Sequence, residues 1–156
     1  MNAAAPLGSC EACPSSLRVY AFRVGPGSEL LSSLRDFVDH NRLRAPFVLT
    51  CVGSLTSARL RLANATATNT NQVLDLSGRF EIVSLVGTLN PEAHLHLCLS
   101  DSRGCTVGGH VLGNLQVFTT AEVLIGDAQE LIFTRDMDPQ TGFPELVVQA
   151  RDQTTD

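Results

Sequence analysis

Lysine is missing from this 156-residue chain: its eleven basic side chains are all arginine, set against sixteen acids for a formal net charge of -5. Phosphate backbones attract basic surfaces, and the attraction grows with each charge neutralised, so an acidic chain without a basic run is a poor direct binder of DNA or RNA. Aromatic residues are also scarce, at 5%. The interior must then be built from Leu, Val, Ala and Ile, which suits strands packed under one or two helices. No apolar run approaches the roughly 20 residues of a membrane span. The opening MNAAAPLGSCEACPSS lacks both the basic and the apolar regions of a signal peptide. These absences lead us to expect a soluble chain without a membrane role, cytoplasmic or, alternatively, nuclear. Cysteine is present but odd in number, at Cys10, Cys13, Cys51, Cys98 and Cys105. Without a secretory context the expectation is reduced thiols.

The length fits one domain with a real core and not two. We expect loose tails at residues 1–16 and 151–156 around a domain at 17–150. Leu17 to Val24 alternates around Val19, Tyr20 and Phe22 and ends at Gly25-Pro26-Gly27, the pattern of a strand closed by a turn. Ser28 is placed to cap a helix whose apolar positions Leu30, Leu31, Leu34, Phe37 and Val38 share one face. His40 would sit near its end, where a positive charge suits the helix dipole.

Pro46 stops any helix. Phe47 to Val52 predicts a buried strand, broken at Gly53-Ser54, and Ser57 to Leu62 a second strand with Arg59 and Arg61 on its open face. After a polar loop at Asn64 to Gln72, further strands are predicted at Phe80 to Leu89, His94 to Ser100, Cys105 to Leu112 and Leu115 to Ile125. Leu131 to Phe133 and Leu146 to Val148 flank Asp138-Pro139-Gln140-Thr141-Gly142, a plausible hairpin. Such short connections require antiparallel neighbours, so the fold class is α+β: a mostly antiparallel sheet covered by one or two helices.

Three of the four histidines lie in HLHLCLSDSRGCTVGGH, from His94 to His110. On a strand, His94, His96 and Cys98 project to one face while Leu95, Leu97 and Leu99 fill the core from the other. Side chains two residues apart stand about 6.5 Å apart along a strand, a gap two imidazoles can close on one ion. Asp101 to Gly104 has the composition of a tight turn, so the next strand would bring His110 near the pair. Gly108 and Gly109 let the backbone approach closely and leave room around an ion. Three neutral imidazoles suit zinc and leave a fourth position open. Histidines facing solvent or a neighbouring subunit would give the same spacing. Cys98 could join the donors, although a small thiol on that face is more simply a packed one.

Several segments occur here in a fixed order: Arg23-Val24-x-Pro26-Gly27-x-Glu29-Leu30, Gly53-Ser54-Leu55, Gly78-Arg79-Phe80-Glu81-Ile82-Val83-Ser84-Leu85-x-Gly87, His94-Leu95-His96, Gly104, Gly108-Gly109-His110 and Thr120-Ala121-Glu122-Val123. In this respect the chain resembles the plants-and-prokaryotes conserved (PPC) domain family across residues 17 to 150. The resemblance implies an antiparallel sheet with flanking helix, a homotrimer, and zinc at His94, His96 and His110. Plant members join the domain to AT-hook segments and use the segment matched by Arg79, Phe80 and Glu81 for partner contacts. With no Arg-Gly-Arg-Pro core and no basic tail, this chain looks like the stand-alone prokaryotic type. The fold also resembles that of acetolactate decarboxylase, by analogy at the level of fold alone.

Two functions follow as expectations. The first is a trimeric zinc-binding module for a protein partner or small ligand. The second is a zinc-dependent lyase or hydrolase acting on a small carbonyl or ester, with Glu81 and Glu122 as candidate acid or base and Arg59 as candidate stabiliser of negative charge. Each of those three also suits an ordinary surface role. Cys10 and Cys13 have the spacing of half a zinc ribbon, but no second pair exists to complete one.

Overall fold

The computed structural model describes residues 12–66, 68–70 and 72–151. Most of the two expected tails, and Cys10 of the paired cysteines, lie outside the described residues. Eight strands and one helix follow in the order β1 (Leu17–Val24), α1 (Leu30–His40), β2 (Pro46–Arg61), β3 (Val73–Thr88), β4 (His94–Ser100), β5 (Thr106–Gly113), β6 (Val117–Ala128), β7 (Leu131–Met137) and β8 (Pro144–Ala150). The first six strands form one antiparallel sheet, ordered β1-β6-β2-β3-β4-β5, and β5 also pairs with β2. The last two form a separate hairpin. Among the described residues α1 is the only helix, so one helix and not two covers the sheet.

The helix cap lies one residue later than expected. Glu29, not Ser28, caps it: one carboxylate oxygen accepts from the Ser32 backbone N–H at 2.6 Å and the other from the Leu115 N–H at 2.8 Å. The Ser28 carbonyl is already committed to the Val117 N–H at 2.9 Å, which ties this turn to the start of β6. The same carboxylate therefore starts the helix and anchors it to the sheet. Leu30, Leu31, Leu34 and Val38 are buried as the spacing requires. Phe37 stacks on Phe22 of β1, with ring centroids 4.4 Å apart.

Gly53 does not end a strand. Pro46 to Arg61 runs through it as one strand of sixteen residues, with the register slipping between Gly53 and Leu55. A Cβ on Gly53 would lie 2.0 Å from the Thr120 carbonyl oxygen, so the glycine allows β2 to bend tightly against β6. This curvature lets β2 hold β6 and β3 along most of its length and still meet β5 at Arg59, Leu60 and Arg61. The third strand likewise starts earlier than its apolar run suggests, at Val73, because Val73 to Ser77 pair with the far end of β2.

Leu55, Leu60, Leu85, Leu95, Leu97, Leu99, Val123 and Ile125 fill the space under the helix with 2% exposure or less. Each buried aliphatic side chain contributes about 2 kcal/mol through burial. A smaller cluster of Ala45, Ala128, Leu131 and Phe133, with Phe47 against it, seats the hairpin. Asp127 is buried beside it with both carboxylate oxygens used, accepting from the Ala45 N–H at 3.0 Å and the Gln129 side-chain amide at 2.6 Å.

Candidate metal centre

Alternation along β4 decides the site. Leu95, Leu97 and Leu99 are sunk into the core, so His94 and His96 stand on the opposite face of the sheet. The turn at Asp101 is held by its carboxylate, which accepts from the Arg103 and Cys105 N–H groups, both at 2.9 Å. β5 then returns in the register that sets His110 opposite His96. On the far side of β5, His110 faces Arg61 of β2, and on the far side of β4, His94 faces Thr88 of β3.

The three imidazoles converge. Ring centroids lie 5.4 Å apart for His94 and His96, 5.1 Å for His94 and His110, and 5.6 Å for His96 and His110. One nitrogen from each lies within 4.8 Å of the other two. Around a tetrahedral zinc, nitrogens at bonding distance would be about 3.3 Å apart.

The donors also have the right chemistry. His110 Nδ1 is buried and has no hydrogen-bond partner among the described residues. An unpaired polar atom of this kind costs about 1–3 kcal/mol, which bonding to a cation would remove. Burial, followed by the charge of Arg61, the neighbouring His94 and His96, and Arg135, pushes the His110 pKa down to about 4. Burial, Arg135, His96 and Arg61 also lower His94, opposed by Glu145. Both rings are therefore neutral near neutral pH, the form that donates to a metal. The cluster can hold a metal ion.

Gly108 and Gly109 serve strand approach. A Cβ on Gly108 would meet the Leu97 carbonyl oxygen at 2.6 Å, and one on Gly109 the Arg61 carbonyl oxygen at 2.7 Å. Their neighbours are the backbones of β4 and β2, so what the pair provides is contact on both sides of β5. Cys98 shares the histidine face but does not belong to the converging donor group.

The hairpin completes the surroundings. A cleft of about 270 Å³ opens beside His94 and His110, and Arg61, Glu92, Arg135, Phe143 and Glu145 line it. An adjoining hollow of about 350 Å³ reaches His96 and shares His94, Arg135 and Glu145. Arg135 donates to the Thr88 hydroxyl at 2.9 Å and the Pro144 carbonyl at 3.2 Å, fastening the hairpin to β3. The Arg61 guanidinium lies over the Phe143 ring, 5.1 Å from its centroid.

The charged residues that β-strand alternation and motif matching had put forward lie elsewhere. Arg59 pairs with Asp75 at 3.7 Å, with both side chains more than half exposed. Glu81 stands between Ser54 and Ser100 on the exposed side of β3, and Glu122 between Arg23 and Val52 on β6. None of the three lines either hollow beside the histidines. Arg79 lies 4.7 Å from the Phe118 ring centroid, and Phe80 packs against the core.

Fold and site together define an α+β domain with a three-histidine cluster on the outer face of its sheet, able to hold a metal. The chain matches the Plants and Prokaryotes Conserved (PCC) domain over residues 11–129 and belongs to that family. It is 43% identical over 137 residues to the bifunctional protein GlmU of a Synechococcus strain, an alignment that covers 87% of this chain and 21% of that protein. A solved structure of a hypothetical protein from Salmonella enterica is 40% identical and superposes with a TM-score of 0.83, covering 89% of this chain and 98% of the other. A protein from Archaeoglobus fulgidus described as metal-containing has the same fold, with a TM-score of 0.76 at 21% identity over 88% of this chain and 99% of that one.

Proposed function

We propose that this domain is a homotrimeric binding module that holds a zinc ion through His94, His96 and His110 and presents it to a small ligand or a protein partner. The single observation that carries the reading is the convergence of three nitrogens within 4.8 Å, one of them belonging to a ring whose buried Nδ1 has no partner among the described residues. The similarity of fold to a metal-containing protein supports it. Imidazole donors favour zinc among abundant ions. A domain that also occurs as 21% of a longer protein suits a module more than a self-sufficient enzyme.

Trimer formation is supported by the outer sheet face, where Val52, Val83 and Val86 are each at least half exposed. An apolar face of this kind is normally covered by another chain. Arg79, Phe80 and Glu81, with Arg79 and Glu81 exposed, form the second contact surface we propose for a protein partner. The cytoplasm, where thiols such as those of Cys51 and Cys98 stay reduced, is the compartment that suits the chain. No helix among the described residues is long and apolar enough to cross a membrane. The net charge of -5 argues against direct binding to DNA.

The second reading, a zinc-dependent lyase or hydrolase acting on a small carbonyl or ester, is favoured by Glu92 and Glu145 in the cleft beside His94. Zinc bound there would supply Lewis-acid polarisation of an oxygen.

Metal analysis of purified protein tests both readings. About one zinc per chain is expected, lost in His94→Ala and His96→Ala while circular dichroism shows the sheet retained. Native protein that neither carries nor takes up zinc would remove both. Chelator-sensitive turnover of simple esters or 2-oxo acids would move the conclusion to the enzyme.

A further inference from the structure

Neither Arg61 nor Arg135 forms an ion pair among the described residues, unlike Arg59 with Asp75 and Arg103 with Asp101. Arg135 spends its hydrogen bonds on neutral acceptors, the Thr88 hydroxyl and the Pro144 carbonyl. Arg61 rests on the Phe143 ring. A guanidinium has five N–H donors in a planar fork, so both side chains keep donors for a ligand. Both line the cleft beside His94 and His110. They come from different elements, Arg61 from β2 and Arg135 from the hairpin, and flank the histidines.

Two carboxylates share this cleft and bear on the charge it prefers. Glu145 accepts from the Thr141 hydroxyl at 2.9 Å, and both it and Glu92 line the cleft. Two arginines and two glutamates cancel. A divalent cation bound by the three imidazoles would leave the cleft with two positive charges, which selects an anion. The cleft volume of about 270 Å³ falls below the range for drug-sized ligands, so the anion is small. Ala93, Phe143 and Pro144 supply apolar wall that an inorganic ion would leave unfilled.

We propose that the cleft binds a small organic carboxylate, its carboxyl group held by Arg61 and Arg135 and its short carbon chain laid against Phe143 and Pro144. A hydroxyl or oxo group next to the carboxyl would face the histidines. This inference rests on the zinc reading above and names the ligand class for the same site.

The probe is L-lactate, titrated calorimetrically into zinc-loaded protein whose zinc content is measured on the same sample. Lactamide, its neutral counterpart, and inorganic phosphate are titrated in parallel. Lactate should bind and lactamide should not. Arg61→Gln and Arg135→Gln should each weaken lactate binding about tenfold or more with zinc content unchanged. Because Arg135 also fastens the hairpin, Arg61→Gln decides if the other variant fails to fold. Equal binding of lactate and lactamide, binding of phosphate alone, or lactate affinity untouched in Arg61→Gln overturns the carboxylate site while leaving zinc in place. Failure of the wild-type protein to take up zinc overturns both proposals and is read from the metal analysis alone.

Discussion

Arg61 and His110 are partners across the junction where β5 closes onto β2, and the arginine is the largest charge acting on that imidazole. Without metal, His110 should titrate with a midpoint of about 4, first because it is partly buried and second because of Arg61. Arg61→Gln should raise that midpoint, as followed by NMR. The sign for stability follows. The unfolded imidazole takes up its proton near 6.5 and the folded one only near 4, so metal-free protein should lose stability as pH falls between those values. A midpoint at or above 6.5 would contradict a half-buried ring held neutral.

Gly87 of β3 lies against the backbone of β4, the strand that carries His94 and His96. A Cβ there would sit 1.9 Å from the His94 carbonyl oxygen, at a φ of +133° that other residues rarely adopt. Gly87→Ala should therefore cost about 3 kcal/mol or more, measured by denaturant unfolding. It should also weaken zinc uptake, since β4 must move. A change below about 0.5 kcal/mol would mean the two strands are not packed this closely.

Leu97 lies between His96 and Cys98 in sequence but faces the core, 2% exposed. Leu97→Ala should destabilise the fold by about 2–5 kcal/mol. At a temperature where the variant is still folded, zinc stoichiometry should be unchanged, because the truncation is on the face away from the imidazoles.

Glu130 fixes the chain just before β1. Its carboxylate accepts from the Ser15 hydroxyl at 2.7 Å and from the Ser16 N–H and hydroxyl, both at 2.6 Å. These bonds, the Ser15 hydroxyl foremost, hold its pKa down to about 2 from 4.5. A depressed carboxylate contributes stability above its unfolded pKa and loses it as pH falls toward the folded one. Thermal melts between pH 5 and 2 should show that loss in the native chain and a flatter profile in Glu130→Gln.

Val83 and Val86, at 55% and 50% exposure, give the proposed trimer its test. Val83→Asp should shift sedimentation from trimer to monomer while leaving the sheet intact. Wild-type protein that sediments as a monomer would overturn the trimer.

Much of the fold could be read from period and punctuation. Alternation at His94 to Ser100 gave the right faces because nothing in that strand competes with it. The helix was visible in Leu30, Leu31, Leu34 and Val38, but its cap was not. Choosing Glu29 over Ser28 depends on Leu115, far along the chain, whose N–H shares the carboxylate. Gly53 read as a break because a glycine inside a strand and one ending it look alike in one dimension; only the approach of Thr120 distinguishes them. The histidines were recognisable by spacing, since their partners lie on adjacent strands. The place of Arg61 and Arg135 beside the histidines is not legible in the sequence, because they reach the site through the β2–β5 closure and the docking of a separate hairpin. No local pattern encodes either contact. Glu81 and Glu122 stood out through motif agreement, which marks a segment without saying which cavity it faces.

The hairpin that supplies Arg135, Phe143 and Glu145 rests on a small apolar cluster separate from the main core. Segments seated on so little buried surface open independently of the rest of the molecule. Amide protons of β7 and β8 should then exchange with solvent well before those of β2 and β6, which places one wall of the cleft on a softer spring than the histidine floor. Admission and escape of whatever occupies that space would be governed by the hairpin's own fluctuations, with no demand on the sheet to move.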